Sequence, residues 1–89
     1  MIAERCKIVC LEREGTSRNG NPRYFVVFAE QDGTYLTGTT KTDARIGYNI
    51  GNYKGKLVDV TYHITKHGNV IFDDIEENRQ DLAVLDENS

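Results

Sequence analysis

This 89-residue chain offers little from which to build a catalyst, and each shortage excludes something. Its serines are Ser17, inside a turn-rich stretch, and Ser89, the last residue. Neither lies near a histidine in sequence, so no nucleophile with an adjacent base is visible and no enzyme is expected. The two cysteines, Cys6 and Cys10, lie four apart in an extended pattern. That spacing separates them by roughly 13 Å at ~3.3 Å per residue, too far for a mutual disulfide. For the same reason Cys6, Cys10, His63 and His67 cannot converge on one zinc ion, and neither metal nor cofactor is expected. Gly51-Asn52-Tyr53-Lys54-Gly55-Lys56 superficially resembles a phosphate loop, but it is one residue short, has Leu57 where Ser or Thr is needed, and precedes a strand pattern. No apolar run approaches the ~18 residues of a membrane helix, and Met1 to Ala3 leads straight into a strand pattern, so the expected location is the cytoplasm. There are no repeats and no linker long enough to separate two domains.

What is present is a divided charge. Residues 1–72 carry ten Lys/Arg against seven Asp/Glu, a net +3, while residues 73–89 carry Arg79 against seven acids, a net −6; together these give the chain's −3. A mildly basic body of residues 1–75 is therefore expected to carry an acidic tail, 76–89, with a short apolar patch at Leu82-Ala83-Val84-Leu85.

Alternation predicts five strands. From Ile2 to Glu12 the period of two places Cys6, Ile8 and Cys10 on one face and Arg5, Lys7, Val9, Leu11 and Arg13 on the other. Gly15 to Pro22, with Arg18 inside it, contains nearly every turn-forming residue type. Arg23 to Glu30 reads as a central strand, with Tyr24, Val26 and Phe28 inward and Phe25, Val27 and Ala29 outward. A third strand covers Thr34 to Thr40. Thr42-Asp43 then supplies capping side chains for a short helix over Ala44 to Ile50, with Gly51 at its left-handed end and Tyr48 and Tyr53 packing on the barrel. Leu57 to Ile64 and Asn69 to Ile75 complete the set.

Two loops fix the pairing. If Lys66-His67-Gly68 is a three-residue turn, Ile64 pairs with Val70 and Tyr62 with Phe72, which collects large apolar side chains on one face. The same loop at Gln31-Asp32-Gly33 pairs Phe28 with Leu36 and Ala29 with Tyr35, turning Tyr35 outward. A two-residue turn there would bury it instead.

Three strands, a short helix and two more strands predict a mainly β protein, a small five-stranded barrel of the oligonucleotide/oligosaccharide-binding (OB) kind. Its expected interior is Cys6, Ile8, Cys10, Tyr24, Val26, Phe28, Leu36, Val58, Val60, Tyr62, Ile64, Val70 and Phe72. Its expected outer face carries Arg5, Lys7, Arg13, Arg23, Phe25 and Tyr35, with Arg18 and Lys66 on flanking loops. Cations serve phosphates and aromatic rings serve bases, so this combination suits single-stranded nucleic acid. A protein-binding module, docking on a host protein or self-associating through Phe25, Val27 and Ala29, is the alternative.

Two resemblances accompany this reading. A barrel followed by an acidic tail with an apolar patch resembles the layout of bacterial single-stranded DNA-binding proteins, although this chain ends in Asn88-Ser89 and not in an apolar residue. That resemblance implies a tail that recruits proteins and competes with DNA. Gly20-Asn21-Pro22-Arg23-Tyr24-Phe25, the stretch Thr40 to Tyr48 and Lys54-Gly55-Lys56 resemble small proteins of bacteriophage and prophage genomes, over roughly residues 5–75. This implies an origin and no mechanism.

Overall fold

The computed structural model describes residues 1–16, 20, 22–42 and 44–78. Five strands close into a barrel: β1 (Ile2–Thr16), β2 (Pro22–Ala29), β3 (Tyr35–Thr40), β4 (Val58–Ile64) and β5 (Val70–Glu77), ordered β1-β2-β3-β5-β4. All neighbours are antiparallel except β3 and β5, which meet in parallel through Thr39 opposite Ile71 and Thr40 opposite Phe72. Closure pairs each strand with two neighbours, but β3 meets β5 through two residue pairs only, so the seam between them is short. Among the described residues no helix is long and apolar enough to cross a membrane.

Both hairpins take the expected register. Phe28 faces Leu36 and Ala29 faces Tyr35; Tyr62 faces Phe72 and Ile64 faces Val70. In each loop the glycine, Gly33 or Gly68, has a positive φ that other residues adopt only with strain, and its N–H closes the turn onto Glu30 O or Thr65 O.

The interior is built on Phe28 and Phe72, whose rings meet edge to face with centroids 4.8 Å apart. Val26, Val58, Val60 and Cys6 surround them, all fully buried. One end is closed by α1 (Ile46–Asn49) and the 3₁₀ turn that continues it over Ile50–Tyr53. Ile46 and Ile50, four residues apart and so on one helical face, insert into the barrel. The helix starts later than its capping signal suggests, and Asp43 lies outside the described residues. Gly51 does not end it in a left-handed conformation; the chain instead runs through the 3₁₀ turn, and Gly55 has the positive φ. Tyr53 packs on the core as expected, whereas Tyr48 is exposed.

β1 departs most from simple alternation. It is longer than expected and carries irregularities at three places: Ala3 to Cys6 against β4, and Ile8 to Cys10 and Arg13 to Gly15 against β2. Each extra residue reverses which face the following side chains take. Cys10 therefore pairs with Val27 on the outer side, and Leu11 pairs with Val26 and packs on the core, the reverse of the expected assignment. Ile64 also falls outside the core, 51% exposed at the barrel end away from α1. Ala3 and Ile75 join the core in its place. β5 runs on to Glu77, opposite Val58, and Asn78 N–H donates to Leu57 O. The remainder of the acidic tail, including Leu82 to Leu85, lies outside the described residues.

Candidate nucleic-acid interface

Cross-strand pairing sorts the expected site residues without ambiguity. Lys7, Ala29 and Tyr35 form one outward row across β1, β2 and β3, and Glu12, Phe25, Thr39, Ile71 and His63 form another that spans all five strands. Arg23 lies two residues before Phe25 on the same face of β2. Lys7, Arg23, Phe25 and Tyr35 thus share one surface, and Tyr35 is 68% exposed. Phe25 and Tyr35 stand on adjacent strands, offset by four residues or ~13 Å along them, so they are separate platforms.

Two arginines leave this surface. Arg5 occupies the first irregularity of β1 with φ 55°, the one positive-φ non-glycine among the described residues. Its N–H donates to Asp59 Oδ1 at 3.0 Å, and Asn78 Nδ2 donates to the same oxygen at 2.9 Å, tying it to the β1–β4 seam. Arg13 pairs with Tyr24, on the face opposite Phe25, because the irregularity around Val9 has reversed the alternation. Its Nε donates to Gly15 O at 3.4 Å. Lys66 is exposed in the β4–β5 turn, and Arg18 lies outside the described residues.

Beside Phe25 the surface sinks into a cleft of about 510 Å³. β1 and β2 supply Glu14, Arg23 and Phe25; β3 supplies Thr37, Gly38 and Thr39; the β4–β5 turn and β5 supply Gly68 to Ile71. Its floor depends on a bare glycine: a side-chain carbon on Gly38 would stand 2.5 Å from Val70 O, so any larger residue forces β3 from β5. Glu14 was not anticipated as a site residue. It is the extra residue of the third irregularity in β1, which turns it toward Arg23. Thr37 and Thr39 were visible in principle, since they share Tyr35's parity; Asn69 was signalled only by its place beside Gly68.

The electrostatics are modest. Arg23 Nη2 and Glu14 Oε2 are 3.8 Å apart with both side chains about two-fifths exposed, a pair of little strength that leaves the guanidinium able to take another anion. Arg23 Nε is buried and makes no hydrogen bond among the described residues. A second cleft of about 510 Å³ separates Arg45, Asn49 and Tyr53 from β5, but Asp73, Asp74 and Glu76 line it and disfavour phosphate. Nearby, His63 Nδ1 lies 2.8 Å from Asp73 Oδ2.

The molecule is thus a closed five-stranded β-barrel with a polar and aromatic cleft on one outer side. No protein family, curated protein or solved structure matches the chain.

Proposed function

We propose that this chain is a non-enzymatic, OB-like barrel that binds single-stranded nucleic acid with modest affinity through the outer surface of β1, β2 and β3. The observation that carries this reading is the shared outward surface of Phe25 and Tyr35, two separate ring platforms flanked by Lys7 and Arg23. Stacking on such rings contributes ~1–3 kcal/mol per base whatever its identity. Lys7 and Arg23 on this surface, with the exposed Lys66 of the β4–β5 turn, are the cations assigned to phosphates in this reading. Three neutralised phosphates give a slope of log affinity against log salt of about −2 for a single strand. Glu12 and Glu14 on the same side keep the affinity modest.

Fluorescence anisotropy of a labelled mixed-sequence oligonucleotide tests this. Binding with that shallow salt dependence, weakened in both Phe25→Ala and Tyr35→Ala while the fold persists, supports it; unchanged affinity in both refutes it. If the acidic tail competes for the same surface, truncation raises affinity. The cut belongs after Asn78, because Glu76 and Glu77 pair with Asp59 and Val58.

Docking of a protein, such as a host partner of a phage factor, is the second reading. It is favoured by Val9, which the irregularity in β1 leaves 54% exposed beside Val27. Salt discriminates the two, since an apolar interface responds little to ionic strength.

A further inference from the structure

We infer that the cleft beside Phe25 reads the identity of one base, guanine in preference to thymine, whereas Tyr35 stacks any base without discrimination. This deepens the nucleic-acid reading and rests on it. Three observations point the same way.

The first is a cluster of unengaged polar groups beside Phe25; Thr61 elsewhere is likewise unengaged among the described residues, so it is their gathering at one cleft that matters. Thr34 Oγ1 donates within its own turn, Thr40 Oγ1 accepts from Tyr24 N–H, and Thr65 Oγ1 accepts from Asn69 N–H. Thr37, Thr39 and the Asn69 amide, all at the cleft, make no side-chain hydrogen bond among the described residues. These groups are free to meet a base edge, and sequence-specific recognition of unpaired bases works by stacking combined with such edge contacts. The second is the surroundings of Tyr35: its row offers only Ala29 and the flexible Lys7, and of the cleft's polar groups only the Thr37 hydroxyl stands two residues along the same face, without Glu14 or Asn69.

The third is Glu14. A carboxylate at the cleft repels phosphate but accepts two hydrogen bonds side by side. Guanine presents adjacent N1–H and N2–H donors that match it, with O6 left to accept from the Asn69 amide or Arg23. Thymine presents a single N–H between two carbonyl oxygens, and those oxygens face the carboxylate unfavourably. Correct edge contacts of this kind discriminate by ~1–3 kcal/mol, about fivefold or more in affinity.

The test compares a short labelled oligothymidylate with the same oligomer carrying one central guanine, by anisotropy. Wild-type protein is expected to bind the guanine-containing oligomer at least about fivefold more tightly. Glu14→Ala is expected to abolish that preference while tightening oligothymidylate binding, because a carboxylate that repels phosphate is gone. Asn69→Ala, in an exposed turn, is expected to reduce the preference independently, with circular dichroism checking the fold of both variants. Equal affinities for the two oligomers, or a preference that survives Glu14→Ala, overturn the inference and leave the binding reading standing. No salt-dependent binding of either oligomer overturns both.

Discussion

Phe25 and Phe28 lie three residues apart on β2 and face opposite ways. Phe28 is fully enclosed against Phe72, while Phe25 forms the wall of an open cleft beside Thr39. An odd separation on a strand puts two side chains on opposite faces, so one short segment supplies the centre of the core and the centre of the candidate interface. The lesson is economy in a small barrel. With one layer of sheet there is no separate scaffold behind the site, and whatever shifts the register of β2 disturbs stability and binding together.

Substitutions can pull these two roles apart. The largest effect is expected from Phe28→Ala, which removes the edge-to-face contact and leaves a cavity, costing about 3–5 kcal/mol. Against a total stability of roughly 5–10 kcal/mol for a chain of this size, urea denaturation should show a marginal fold at best. Gly38→Val comes next, since its new side chain meets Val70 at the β3–β5 seam; a loss of roughly 1–3 kcal/mol is expected in the same measurement. Phe25→Ala should reverse the balance. Its stability should change by less than about 1 kcal/mol, while oligonucleotide affinity falls by ~1–3 kcal/mol, about fivefold or more. A Phe25→Ala variant that unfolds like Phe28→Ala would break the comparison.

A pH titration sharpens it from the inside. Burial, with the nearby charges of Glu30 and Asp59, pushes the Cys6 thiol from 9.0 to about 11. A raised value in the fold means that the contribution is fully present below pH 9 and is lost as pH rises toward 11. The loss should reach about 1.4 kcal/mol at pH 10 relative to pH 7, read as a fall in denaturation midpoint that Cys6→Ala flattens. The smallest effect is expected from Arg5→Ala and Arg13→Ala. Arg13 shares the face of Tyr24 and Arg5 sits in the β1–β4 bulge with its Nε buried, so affinity should change by less than about twofold and the salt slope should stay the same, whereas Arg23→Ala should lower both.

How far the outer face was legible depended on whether a bulge intervened. Arg23, Phe25 and Tyr35 lie on the expected outer face because the Gly33 hairpin sets the register of β2 and β3, and Lys7 does so because it falls between two irregularities of β1 with Cys6 and Ile8 on the core side of it. Arg5 and Arg13 were misplaced because β1 carries extra residues, and a bulge leaves no mark in a pattern of alternating residue types. Glu14 was missed for the same reason: only the bulge turns it toward Arg23.

The sequence by itself determined the element order, the two glycine-closed hairpins and the registers Phe28–Leu36 and Tyr62–Phe72, all of which follow from local turn chemistry and a period of two. The tertiary structure decided the rest. Where β1 must curve to meet β2 and β4 at once, closure of the barrel sets the position of each bulge, and the bulges set which residues face outward. Gly38 against Val70 likewise acquires its meaning only when β3 and β5, distant in sequence, meet to close the barrel and open the cleft.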